Sequence, residues 1–115
     1  MDIKLDFVLL KEFLLKSCPQ EWLITFTETT TCQGKTTFIL VKSAPRVPER
    51  DPICHILIKK EEIVIISPNI FWDCTRKVGE LVRSFIQTKS PQYCLTMTEC
   101  NLNHLCCPEC SIFSE

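Results

Sequence analysis

Apolar and polar side chains alternate from Trp22 to Thr30, with Trp22, Ile24 and Phe26 on one side and Thr25, Thr27 and Thr29 on the other. Period-two alternation of β-branched and aromatic residues predicts a strand with one wet face. Cys32-Gln33-Gly34-Lys35 reads as a turn, because glycine accepts a positive φ. The next run, Thr36 to Val41, is apolar on both sides. Ser43 to Pro52 carries three prolines, which remove ladder donors and mark a loop.

Ile53–Ile58 and Ile63–Ile66 form a third and a fourth apolar run around Lys59-Lys60-Glu61-Glu62. A two-residue turn at Lys60-Glu61 sets Lys59 opposite Glu62 across a hairpin. The same register gathers Cys54, Ile56, Ile58, Ile63 and Ile65 on one uniformly apolar face, the expected core side. Ile53, His55, Leu57, Val64 and Ile66 take the other face, which is too apolar to be left to water alone. A slip of one residue would exchange the two faces.

Helices flank these runs. Lys4 to Lys16 lacks Gly and Pro, and Asp2 and Asp6 lie near its positive end. Ile3, Phe7, Leu10 and Leu14 make its apolar stripe, with Leu9 and Phe13 widening it and Lys11, Glu12 and Lys16 on the wet side. The mixed signs of that polar side favour a core-covering helix over a membrane-surface one. Val78, Leu81, Val82, Phe85 and Ile86 follow helical spacing after Asp73, the expected N-cap, and Thr88 to Pro91 ends the helix. Gly79 inside it costs up to about 1 kcal/mol against alanine and predicts a close approach to the sheet.

The predicted fold is therefore α+β: a four-stranded antiparallel meander between an N-terminal and a C-terminal helix (α-β-β-β-β-α), followed by a Cys-rich tail. One domain spans residues 1–90 and an irregular tail spans 91–115. This element order resembles that of RWD modules and of kinase-associated C-terminal modules. The resemblance is of order alone, with no motif behind it, and implies protein contact and, for the second group, anionic-lipid contact.

Composition fits a globular chain: 115 residues, 45% hydrophobic, 23% charged, net charge −1. The charge is uneven, with −2 in residues 1–32, +4 in 33–90 and −3 in 91–115. An electrostatic partner would thus meet the middle of the chain. No basic leader precedes an apolar core at the start, and no apolar run approaches the roughly 20 residues needed to span a bilayer. Nine cysteines without a secretory signal are expected as reduced thiols, in cytoplasm or nucleus.

Candidate chemistry is sparse. Gly34-Lys35-Thr36 matches the end of a phosphate-binding loop, but Thr29 stands where the first glycine belongs and a strand follows instead of a helix. Cys74 precedes a helix, where a thiol is activated, yet Glu80 replaces the arginine of a Cys-x5-Arg loop. His55 would be its base only if folding joined them. In the tail, Cys94, Cys100, His104, Cys107 and Cys110 offer thiolate and imidazole ligands for a tetrahedral zinc. Cys94-x5-Cys100-x3-His104 has the spacing of the later part of a CCCH finger, though Phe85 stands near its first cysteine position, and Cys107-Pro-Glu-Cys110 supplies an x2 pair. The bland alternative is a loose or packed thiol-rich tail without metal.

Three functions compete. The first, and the one favoured, is a non-enzymatic protein–protein interaction module or complex subunit. It would use Ile39, Val41, Leu57, Val64 and Ile66 on the second sheet face, with Arg46, Arg50, Arg76 and Lys77, to bind another protein or a second copy. The second is a small zinc-binding regulator. The third is anionic-lipid or nucleic-acid contact through the basic middle, Arg46, Arg50, Lys59, Lys60, Arg76, Lys77 and Arg83. Nucleic acid is disfavoured by the acidic, Lys- and Arg-free tail.

Overall fold

The computed structural model describes residues 3–31, 34–42 and 52–99. Helix α1 (Ile3–Ser17) leads into strands β1 (Leu23–Thr31), β2 (Gly34–Lys42), β3 (Pro52–Lys59) and β4 (Glu62–Ser67). Helix α2 (Asp73–Lys89) and strand β5 (Cys94–Glu99) follow. The five strands make one sheet in the order β1-β2-β3-β4-β5. The first four pair antiparallel, as expected of sequential strands joined by short links.

The fifth strand is a correction. Cys94–Glu99 falls in the segment expected to be an irregular tail, and it pairs parallel to β4, from Glu62 opposite Cys94 to Ser67 opposite Glu99. A parallel neighbour needs a crossover, and α2 supplies it. The C-terminal helix therefore connects two strands of the sheet. Hairpin β3–β4 has the predicted register, with Lys59 opposite Glu62. Glu61 takes a positive φ of 64° in its turn. Its carbonyl accepts the Cys94 backbone N–H at 3.0 Å, so the turn also anchors the start of β5. Gly34 pairs with Thr31 and belongs to β2, while residues 32–33 and the proline-rich 43–51 lie outside the described residues.

Both helices cover the same sheet face. Phe7, Leu10 and Leu14 of α1 and Val78, Val82, Phe85 and Ile86 of α2 close a core over Ile24, Ile39, Val41, Cys54, Ile56, Ile58, Ile63 and Ile65. Phe13 meets Phe85 at 5.7 Å between ring centroids and joins the two helices. Burial of each large aliphatic side chain contributes roughly 1.5–3 kcal/mol, so this layer carries most of the stability. Gly79 marks the expected close approach: a Cβ there would stand 3.0 Å from Sδ of Met97 on β5. Asp73 is the first helical residue rather than the cap. Trp72 occupies the cap position with extended backbone, and its side chain makes no capping bond.

Two polar ties lock the layers. Tyr93 Oη donates a 2.6 Å hydrogen bond to Asp6 Oδ2, joining the first turn of α1 to the approach to β5. Ser67 Oγ donates to the Ile53 carbonyl at 2.9 Å and lies 3.1 Å from Thr75 Oγ1, joining β3, β4 and α2.

Candidate interaction surface

The register of β2 overturns part of the expected surface. Ile39 pairs with Ile56 and Val41 with Cys54, so both lie on the helix-covered face and are fully buried. A run that is apolar on both sides carries no mark of which side faces the helices; only its pairing decides. A bulge beside Val41 and Lys42 leaves Ile53 as the extra residue, and Ile53 joins the helix-side core.

Leu57, Val64 and Ile66 do lie on the second face, together with Phe38 and His55. The four apolar side chains are buried, not bare, His55 is half-buried, and none belongs to the helix-side cluster. One contribution comes from β5, which turns β4 into an interior strand and flanks Val64 and Ile66 with Thr96 and Thr98. Phe38 stacks on His55 at 4.5 Å. Burial, and secondarily the nearby Lys42 charge, pushes the His55 imidazole down to about 4.

Cys74 and His55 are not brought together. Cys74 packs against the helix-side core, and His55 projects from the opposite side of the sheet. Cys54 is fully buried on the helix side, and burial raises both its thiol and that of Cys18, with Lys77 partly offsetting the latter. These are inert, protonated thiols. Cys94 is exposed at the start of β5, whereas Cys100, His104, Cys107 and Cys110 lie outside the described residues. Among the described residues no three His, Cys, Asp or Glu side chains gather as metal ligands.

Among the described residues the basic side chains expected to make a contact surface fall into two separate groups. Lys59 and Lys60 sit at the β3–β4 turn, where β4 begins, while Arg76 and Lys77 sit in the first turns of α2, beyond the end of β4. Six strand residues, about 20 Å, separate the two sites. Arg46 and Arg50 lie outside the described residues.

Among the described residues the most exposed large apolar side chain, Phe71, instead stands at the start of α2, next to exposed Trp72. Phe71 is 75% exposed and Trp72 41%. The segment that carries them is pinned. Asn69 Oδ1 accepts the Phe71 N–H at 2.8 Å, and the Asn69 carbonyl accepts the Trp72 N–H at 3.3 Å. Glu99 Oε1 accepts the Ile70 N–H at 3.2 Å, tying the turn to the end of β5. Arg76 stands one turn beyond Trp72, on the same side of the helix, and is exposed, as is Lys77. A held aromatic pair beside cations has the make-up of an interface anchor. Sequence reasoning missed Phe71 and Trp72 because it placed both in a connector; two aromatics between Asn69 and a helix start were the available signal.

Comparison of the chain with protein-family models, with curated proteins and with solved structures returned no match. No helix among the described residues is long and apolar enough to cross a membrane.

Proposed function

We propose that this chain is a non-enzymatic protein–protein interaction module, or a subunit of a larger complex, that binds another protein through Phe71 and Trp72 with Arg76 and Lys77 at their side. The observation that carries this is the exposed aromatic pair on a hydrogen-bonded turn. Such a turn loses little conformational freedom on binding, so most of the gain from burying the rings is realised as affinity. The partner would offer an apolar pocket with an acidic rim. The second sheet face contributes less than its sequence suggests, because its aliphatic residues are already buried.

Affinity purification of the full chain beside its Phe71→Ser/Trp72→Ser form tests this. A stoichiometric partner retained by the first and lost by the second, with unchanged circular dichroism, is the expected result. Identical partners on both, or none on either, would overturn the proposal.

A further inference from the structure

Strand β1 is an edge: among the described residues only β2 pairs with it. It is nine residues long, has no proline or lysine, and carries Glu28 as its one charged residue. Those are the devices that usually block pairing with another chain. In an antiparallel ladder about half of its residues point N–H and C=O groups away from β2.

The helix layer beside this edge is apolar as well. Phe26 of β1 is 39% exposed, packs edge-on against Phe7 of α1 and lies under Lys11 Nζ at 4.6 Å. Asp6 and Phe13 lie on the flank of α1 that meets Tyr93 and α2. By helical period the other flank, beyond Lys11, presents Val8 and Leu15, which are 42% and 50% exposed. Open strand and apolar helix flank therefore lie on one side of the molecule.

We propose that β1 pairs antiparallel with β1 of a second copy across a two-fold axis, joining the two sheets and setting the Val8–Leu15 flank of each α1 against its mate. A lone peptide strand would satisfy the edge but leave Val8 and Leu15 in water; a second copy covers both, because the two-fold operation repeats the helix beside the strand. An edge of nine residues is about 30 Å long, and a sheet with one helix layer is about 20 Å deep. The footprint is then about 600 Å² per copy, near the lower end of stable interfaces. Contacts at this end of the size range are typical of weak, reversible association, so micromolar concentrations are the range to test.

Sedimentation equilibrium of the full chain, over about 1 to 200 µM, is the test. Twice the chain mass is expected at the top of this range, and the Val8→Glu/Leu15→Glu form should weaken association at least about tenfold with unchanged circular dichroism. In the unaltered chain, amide exchange in β1 should slow as concentration rises, a readout that does not depend on any variant folding. A monomer throughout the range, association equal in both forms, or β1 exchange independent of concentration would each overturn the proposal. The aromatic turn at Phe71 lies outside this interface, so the two proposals fail separately.

Discussion

His55 should make folding stability fall with acidity well before the carboxylates titrate. Its imidazole lies on the second sheet face against Phe38 and is held down to about 4, first by desolvation and then by Lys42. An unfolded chain binds the proton near 6.5. Between those values the unfolded state carries more protons than the folded one, so stability is present above 6.5 and is lost as pH falls through the window. The full separation is worth about 3 kcal/mol, and the part lost between pH 7 and 5 is about 2 kcal/mol. Urea unfolding at the two pH values, for the unaltered chain and for His55→Gln, isolates the effect. The substitution itself will shift stability at both pH values, so the informative quantity is the difference in pH dependence. His104, the other histidine, is common to both chains. The unaltered chain should lose about 2 kcal/mol more than the variant on going to pH 5. Equal losses would refute a buried, neutral imidazole at this position.

Substitutions at three further positions probe the frame. Tyr93→Phe removes the donor to buried Asp6 and should destabilise by about 1.5–3 kcal/mol in urea unfolding, with a loss under 0.5 kcal/mol counting against the tie between α1 and the approach to β5. Burial, and secondarily the same contact with Asp6, pushes the Tyr93 phenol up to about 12, so stability should fall as pH rises from about 10 to 12, and Tyr93→Phe should abolish that fall. At Gly79, alanine gains about 1 kcal/mol of helix propensity against a push on the flexible end of Met97, so thermal melting should change little, whereas leucine must pry α2 from β5 and should cost about 1–3 kcal/mol. Glu61→Gly should stabilise by about 1 kcal/mol, because glycine accepts the positive φ without a Cβ penalty; a lowered melting temperature would refute that account.

Local periodicity determined much of this molecule. The Lys59–Glu62 pairing, the core set from Cys54 to Ile65 and the stripe from Val78 to Ile86 all follow from spacing within a few residues, where strand and helix periods differ and turns are short. Three features needed the tertiary structure. Thr36–Val41 is apolar on both sides, so nothing within the run told which side would meet the helices, and pairing with β3 put Ile39 and Val41 beneath them. Helix α1 is apolar nearly all round, so Leu9, expected to widen the core stripe, turned outward with Val8 and Leu15 once Phe7, Leu10 and Leu14 were seated. Leu95, Thr96, Met97 and Thr98 alternate as a strand should, but their parallel partner lies a whole helix away. Alternation marks a strand; only a crossover that returns the chain to the sheet edge decides that it pairs, because that pairing depends on contacts far apart in sequence.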